Sequence, residues 1–213
     1  MSVRIVCVSD THGEHWPLDV PAGDLLLHAG DISTRGTLEA VEDFDRWLGT
    51  LPHPHKVMIC GNHDFAFQRQ PDEAVRRITN AVYLQDSGTT IGGLKVWGSP
   101  WQPWFFNWAF NLPRGPELAA KWALVPPDTD ILLTHGPPLG IGDRTFRGYA
   151  VGCADLLERV RQVRPKLHVF GHIHEAAGVF PGEHTLFVNT SAGPGGSRPV
   201  VVEWDGEVMW VVE

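Results

Sequence analysis

The sequence contains few cysteines, no long apolar run and relatively few basic residues. Its three cysteines, Cys7, Cys60 and Cys153, are far apart and form no Cys-x-x-Cys pair, which argues against a disulfide framework and against a thiolate zinc site. The apolar run at the amino terminus is short and is interrupted by Arg4, so we expect no signal peptide. No segment approaches the roughly 18 apolar residues of a membrane span. We therefore expect a cytoplasmic protein with no membrane partner.

The charge balance limits the partners further. Lys and Arg number 17 against 25 Asp and Glu, a formal net charge of −8. A protein that coats nucleic acid carries a basic stripe, so long nucleic acids are not expected as partners. Phosphorylated small molecules remain possible, because a bound cation can reverse the local field. A length of 213 residues with 43% hydrophobic residues predicts a single domain over residues 1–213.

Short apolar runs alternate with helical patterns along the chain. Runs typical of buried strands, each followed by Gly, Asp, Asn or His, cover residues 5–8, 25–27, 57–59, 94–97, 131–133 and 167–170. Apolar spacing predicts helices at 38–48, capped by Thr37, and at 71–81, 116–123 and 154–163. Residues 185–189, 200–203 and 207–212 predict further strands, with a hairpin turn at Asp205-Gly206. This order indicates an α/β fold with a strand-rich carboxyl-terminal part.

Five of the predicted strands are followed at once by side chains that bind metals. These side chains are Asp10, His12, Asp31, Asn62, His135, His172 and His174. Because ligands bind outside the carboxyl ends of strands in an open α/β sheet, we expect these loops to converge. Two carboxylates, one amide oxygen and four imidazoles suit a pair of divalent cations that clamp a phosphate. Without thiolates, this set favours Mn, Fe, Co or Zn over Ca.

Together these segments resemble the motif set of the calcineurin-like metallophosphoesterases. The matching motifs, in family order, are Asp10-x-His12, Gly30-Asp31, Gly61-Asn62-His63-Asp64, His135 and Gly171-His172-x-His174. Shorter segments at 99–104, 111–115, 135–139 and 152–153 resemble the branch of metallophosphoesterase-domain-containing proteins, known from animal brain and from bacteria. The resemblance implies two packed β-sheets flanked by helices, an αββα sandwich.

The resemblance also implies a role for each motif residue. Two divalent metal ions, most readily Mn, would be held by Asp10, His12, Asp31 and His174 at the first position and by Asp31, Asn62, His135 and His172 at the second. His63 would contact the substrate, stabilising transition-state charge or protonating the leaving group. Asp64 would hydrogen-bond His63 and favour its charged form. Asn62 is a substrate contact as well as a metal ligand in this scheme.

The activity implied by the resemblance is metal-dependent hydrolysis of phosphoric esters by a hydroxide that bridges the two metals. Cyclic nucleotides or other small phosphodiesters are the expected substrates. A phosphomonoesterase that uses the same residues is one alternative, and a nucleotide-binding module with little turnover is another. Both histidines of the Gly-His-x-His motif are present, which favours full activity.

An aromatic stretch at residues 101–108 has two interpretations. It can form a wall on which a base stacks, or it can fill the core. Packing is favoured for most of these rings, and Trp104 and Phe105 are left open as substrate contacts. Arg144 and Arg147 lie on a glycine-containing loop, where they can reach a substrate phosphate or remain in solvent.

The sequence is rich in histidine, and six of its 11 histidines have no expected role at the metal centre. His28 and His168, at a strand end and inside a strand, are expected to pack in the interior. The others lie in polar or proline-rich segments and are predicted to be surface residues: His15, His53, His55 and His184.

Overall fold

The computed structural model describes residues 2–191 and 198–212. The strands are β1 (Val3–Val8), β2 (Leu25–His28), β3 (His55–Met58), β4 (Val82–Tyr83), β5 (Ser87–Ile91), β6 (Leu94–Ser99), β7 (Gln102–Pro103), β8 (Asn111–Leu112), β9 (Ile131–Thr134), β10 (Leu167–Phe170), β11 (Gly178–Pro181), β12 (Leu186–Asn189), β13 (Val200–Trp204) and β14 (Met209–Val212). The helices are α1 (Leu38–Thr50), α2 (Phe65–Arg69), α3 (Pro71–Arg77), α4 (Pro116–Trp122) and α5 (Ala154–Val163).

Two six-stranded sheets form the centre of the fold. The first has the order β14-β13-β1-β2-β3-β4 and the second β11-β12-β10-β9-β6-β5. Strands β1 to β4 run parallel, as do β6, β9, β10 and β12. In the first sheet β13 runs antiparallel to both of its neighbours, β1 and β14, and in the second sheet the edge strands β5 and β11 run antiparallel to β6 and β12. Each sheet therefore brings the carboxyl ends of several parallel strands to one edge.

Alternating strand residues divide the core into three layers. Cys7 of β1 belongs to the cluster between the two sheets, together with Leu133 of β9. Its neighbour Val6 points the other way and packs with the layer that contains Phe44 of α1. On the outer face of the second sheet, Leu132 shares a cluster with residues of α4 and α5. Helices thus cover both outer faces, and the predicted αββα fold is confirmed.

The predicted helix at 71–81 is too long, and five strands, β4, β5, β7, β8 and β11, were not predicted. The α3 helix ends at Arg77 because Ile78 is extended, with φ −86° and ψ 106°. The Asp45 carboxylate then accepts hydrogen bonds from the backbone N–H groups of Thr79 and Asn80, which directs the chain into β4. Strands β5 and β11 escaped the prediction because they are edge strands, which carry weaker apolar runs than central ones.

Two of the histidines predicted at the surface are buried, so for His15 and His53 the prediction is wrong. The His15 ring packs on α1 and its Nε2 lies 3.0 Å from Asp43 Oδ2, a contact between distant positions that composition does not reveal. His53 fits beside Gly23, where a Cβ would stand 3.5 Å from its ring. The three cysteines are buried and free. Across the described part of the chain, no helix has the length and apolarity needed to cross a bilayer.

Candidate metal centre

The five polar loops converge at one edge, where the two sheets meet. The first sheet contributes the loops after β1, β2 and β3, and the second the loops after β9 and β10. They surround a pocket of about 350 Å³, which we call the metal pocket. It is lined by His12, Asp31, Thr34, Asn62, His63, Phe105, Trp108, His172 and His174. Asp10 and His135 are buried next to it.

Among the residues that the structure describes, three overlapping groups of side chains in and beside this pocket could hold metal ions, with ligand atoms within 4.8 Å of one another. The groups are Asp10, His12 and His174; His12, Asp31 and His63; and Asp10, Asp31 and His135. Asp31 Oδ2 lies 3.8 Å from His12 Nε2 and 3.4 Å from His135 Nε2. Asp31 is therefore placed between two sets of ligands, as a carboxylate shared by two cations must be.

The surroundings of His135 show that this donor set fits a cation. Its Nδ1 lies 3.0 Å from the carbonyl oxygen of Ala29, which can only accept, so Nδ1 carries a proton. Its Nε2 then faces two oxygens, Asn62 Oδ1 at 3.0 Å and Asp31 Oδ2 at 3.4 Å. Burial alone would lower the pKa of His135, but the Asp31 carboxylate raises it to about 9. A divalent cation would occupy the place of the Nε2 proton, as metals do when they bind imidazole.

Asp10 is held in place by the protein itself. Its Oδ2 accepts hydrogen bonds from Ser9 Oγ at 2.5 Å and from the backbone N–H of His172 at 3.1 Å, and His174 Nε2 lies 3.3 Å from Oδ1. Burial alone would raise the pKa of Asp10, but His174 and the nearby His135 hold it well below its usual range. The carboxylate is consequently ionised and oriented, as a metal ligand requires.

The backbone bends sharply where these side chains leave the strands. Asp10, His12, Asp31 and His172 have φ angles of 52°, 46°, 56° and 70°, in the left-handed region that residues with a side chain rarely adopt. Close approach also demands Gly61, since a Cβ there would stand 2.2 Å from Asp31 Oδ1. Backbone strain of this kind persists only where many surrounding contacts hold the residue in place, and it clusters at functional sites.

His63 is oriented by a backbone carbonyl and an aromatic ring, and the predicted hydrogen bond between His63 and the Asp64 carboxylate is wrong. His63 Nδ1 lies 3.0 Å from the carbonyl oxygen of Thr34, so the ring donates there. The ring centroid is 4.1 Å from that of Trp108. Its other nitrogen, Nε2, lies 4.0 Å from Asp31 Oδ2 and lines the pocket.

Asp64 immediately precedes α2, and its side chain turns back toward the loops instead of contacting His63. Its carboxylate accepts hydrogen bonds from the backbone N–H groups of Gly61, Ile32 and Ser33 and from Ser33 Oγ. Burial and the nearby Asp31 charge raise the pKa of Asp64 to about 7. Asp64 thus ties the loop after β2 to the loop after β3.

The two aromatic residues left open by the sequence line a second, larger cleft beside the metal pocket. This cleft has a volume of about 690 Å³, and both Trp104 and Phe105 border it. Phe105 and His172 border both cavities, with their ring centroids 6.2 Å apart. Arg147 also lines the cleft, whereas Arg144 is not among its lining residues and donates to a carbonyl of its own loop.

Sequence reasoning missed three aromatic residues near the site. The sequence predicts that Trp108 packs in the core, as Trp101 does, yet the Trp108 ring contacts His63. Phe146 and Tyr149 line the larger cleft and belong to no helical or strand pattern. The only sequence signal for them is the presence of two aromatic residues on the loop that carries the arginines.

The fold and the donor set together define a class, the metal-dependent phosphoric ester hydrolases that bind their ions at the carboxyl ends of strands. The family model described as calcineurin-like phosphoesterase matches residues 3–176. The chain belongs to this family, and the resemblance seen in the motifs is confirmed.

Individual relatives agree with this assignment. Human metallophosphoesterase domain-containing protein 1 is 45% identical, over 92% of this chain and 68% of the human protein. A 3',5'-cyclic-nucleotide phosphodiesterase of Nostoc sp. is 28% identical, over 73% of this chain and 57% of its own length. The crystal structure of TT1561 of Thermus thermophilus aligns with a TM-score of 0.65 at 15% identity, covering 100% of this chain and 99% of that one, and shares the fold.

Proposed function

We propose that this protein is a dinuclear metal-dependent phosphodiesterase that hydrolyses small phosphodiesters, cyclic nucleotides among them. The observation that carries the proposal is the position of Asp31, whose Oδ2 lies within 3.8 Å of imidazoles on both sides of it. Bound divalent ions, manganese foremost, would supply an ionised water and neutralise the phosphate oxygens. Iron, zinc and cobalt also suit this mixture of imidazole and carboxylate.

The residues of the chain prepare the centre for these ions. The first ion would be held by Asp10, His12, Asp31 and His174, and the second by Asp31, Asn62, His135 and His172. Hydrogen bonds to Asp10 and His135 fix both side chains before an ion arrives. Such preorganisation reduces the cost of assembling the site when an ion binds, and it is a common feature of efficient metal sites.

His63 is proposed to act on the leaving group. Because its Nδ1–H donates to the carbonyl of Thr34, the protonated ring presents Nε2–H to the pocket. From there it can give a proton to the departing oxygen or stabilise the charge that develops on it. Trp108 restrains the plane of the ring. Asp64 positions the loops after β2 and β3 and touches neither substrate nor His63 in this scheme.

The preference for diesters rests on two observations. The Nostoc relative carries the name of a cyclic-nucleotide phosphodiesterase. The metal pocket continues into a cleft of about 690 Å³, which gives room for a second ester group. We also propose that residues 1–213 act as one domain and that the protein works in the cytoplasm on small substrates.

The proposal is tested with purified protein loaded with Mn²⁺ and a chromogenic diester, methyl p-nitrophenyl phosphate, beside the monoester p-nitrophenyl phosphate. We expect two metal ions per chain and faster turnover of the diester. The Asp31→Ala variant should lose both ions together, whereas Asp72→Ala, at an exposed position of α3, should keep both. Turnover of the monoester alone would establish a phosphomonoesterase, and turnover of neither ester would refute the enzyme assignment.

A further inference from the structure

Five exposed aromatic rings surround the larger cleft, which we call the aromatic cleft. They are Trp104, Phe105, Phe106, Phe146 and Tyr149, with exposed fractions of 60%, 50%, 73%, 80% and 66%. They come from two loops about 40 positions apart, at residues 104–106 and 146–149. Large apolar side chains gathered at one exposed place usually mark a binding site, because exposing them to water is unfavourable.

Two polar groups that line this cleft, Arg114 and Glu175, are engaged in hydrogen bonds within the protein, and the Arg147 guanidinium lies over the Phe146 ring, 5.5 Å from its centroid. The Arg114 guanidinium donates to the carbonyl oxygens of Gly152 and Val151, both at 2.6 Å. Glu175 Oε1 accepts from the backbone N–H of Phe146 at 2.9 Å. The cleft therefore presents mainly ring faces and edges to a ligand, a surface that suits a flat apolar group better than one rich in hydrogen-bonding atoms.

The position of the cleft identifies which part of a substrate it can reach. His63, which is proposed to act on the leaving group, lies with its ring against Trp108 and 4.7 Å from His12. The cleft meets the metal pocket at His172 and Phe105, whereas His12, His63 and Trp108 line the metal pocket and not the cleft. An acyclic phosphodiester bound at the metals with its leaving group at His63 can therefore place its other ester group in the cleft.

We propose that the aromatic cleft binds the ester group that stays on phosphorus, and that the preferred substrates carry a large, flat, apolar group at this position. This inference rests on the proposed phosphodiesterase function. In the reaction, a bond forms between a water oxygen and phosphorus while the bond to the leaving oxygen breaks. The leaving oxygen receives a proton, and the product is a monoester whose apolar group still lies in the cleft.

The test keeps p-nitrophenolate as the leaving group and changes only the retained group. Wild-type protein is assayed with methyl p-nitrophenyl phosphate and with 2-naphthyl p-nitrophenyl phosphate. A stacking contact is worth a factor of about 10 or more, so we expect kcat/KM to be about 10-fold higher for the naphthyl diester. Because both substrates share one leaving group, a difference between them reports on the retained group alone.

The matched variant replaces two exposed rings of the cleft, Phe146→Ala together with Tyr149→Ala. It should lose the naphthyl preference, about 10-fold in kcat/KM, and leave the methyl diester unchanged. The control Trp210→Ala removes another exposed ring, on the edge strand β14, and should retain the preference. Neither change removes a buried side chain, so both variants should fold, which thermal unfolding verifies.

Calorimetry provides a readout that does not depend on turnover. The phosphinate 2-naphthylmethyl(methyl)phosphinate, in which P–C bonds replace both ester bonds so that it cannot be hydrolysed, should bind wild-type protein about 10-fold more tightly than dimethylphosphinate does, with a negative heat-capacity change. Two results would overturn the inference and leave the phosphodiesterase proposal intact. They are an equal kcat/KM of the wild type for the methyl and naphthyl diesters, and an equal decrease in kcat/KM for both diesters in the double variant. Failure to hydrolyse the methyl diester would instead count against the phosphodiesterase proposal, while the phosphinate titration would still show whether the cleft binds a flat apolar group.

Discussion

Replacing Gly61 with alanine tests whether the metal centre depends on the close approach of the loops after β2 and β3. A Cβ at this position would lie 2.2 Å from Asp31 Oδ1 and 2.6 Å from both the Asp31 backbone nitrogen and His135 Cε1. Ordinary contact begins near 3.4 Å, so the Asp31 carboxylate must move by about 1.2 Å. The backbone nitrogen is also in the way, and a side-chain rotation alone cannot relieve the clash.

A displacement of this size is large for a metal site. Metal–ligand distances are typically kept within about 0.2 Å, and a misplacement of about 1 Å at a catalytic centre costs about 100-fold in rate. We therefore expect Gly61→Ala to lower metal affinity and kcat/KM by at least about 100-fold. Metal content is measured by mass spectrometry after equilibration at a fixed Mn²⁺ activity, and turnover with methyl p-nitrophenyl phosphate.

The matched control is Gly136→Ala, which also lies directly beside a proposed ligand, His135. A Cβ there meets only the Gln102 Cβ, at 3.4 Å, and should be tolerated. The control should keep two metal ions per chain. If Gly61→Ala retained both ions and turned over within about threefold of the wild type, the close approach would have no part in metal binding, and the reasoning would be refuted.

Three further predictions follow from the site and the core. His63→Ala should keep both metals and lower kcat by about 10²- to 10⁴-fold, measured with the diester; loss of an ion would make His63 a ligand. Asp64→Asn should weaken metal binding by about 10- to 100-fold in equilibrium dialysis, because an amide cannot accept all four hydrogen bonds; unchanged affinity would contradict its positioning role. Burial lowers the pKa of His168 from 6.5 to about 3, so the unfolded chain takes up the proton first and stability is lost as pH falls below about 6.5. In metal-free protein, protonation of His168 should lower the free energy of unfolding by about 2 kcal/mol between pH 7.5 and pH 5. Denaturant titrations of the His168→Gln variant should not show this contribution.

The central strands and the residues that follow them were predictable because each signal is local. A buried parallel strand is a short apolar run, and a side chain directly after it must lie at the sheet edge. The apolar run at 167–170 predicted strand β10, and it also predicted that His172 and His174 lie at the carboxyl end of that strand. The cap of α1 was equally local, since Thr37 accepts a hydrogen bond from the N–H of Ala40, as predicted.

Features that depend on distant contacts were not predictable. The partners of Asp64 lie on its own loop and on the loop after β2, and only the folded chain shows that its carboxylate turns toward them. The aromatic cleft joins two loops about 40 positions apart, each without periodicity. The burial of His15 depends in the same way on Asp43, 28 positions away on α1. Composition and spacing contain no information about such pairings.

The proposed metal ligands come from both sheets, and this has a consequence for the stability of the fold. Asp31 extends from the first sheet and His135 from the second, in segments about 100 positions apart, so an ion that holds both acts as a cross-link across the sandwich. Ligation that exists only in the folded state adds stability by mass action, about 2.7 kcal/mol when the free metal exceeds its Kd 100-fold. Chelation would thus lower the stability of the folded chain as well as remove the ions, because it breaks the only link of this kind proposed between the two sheets.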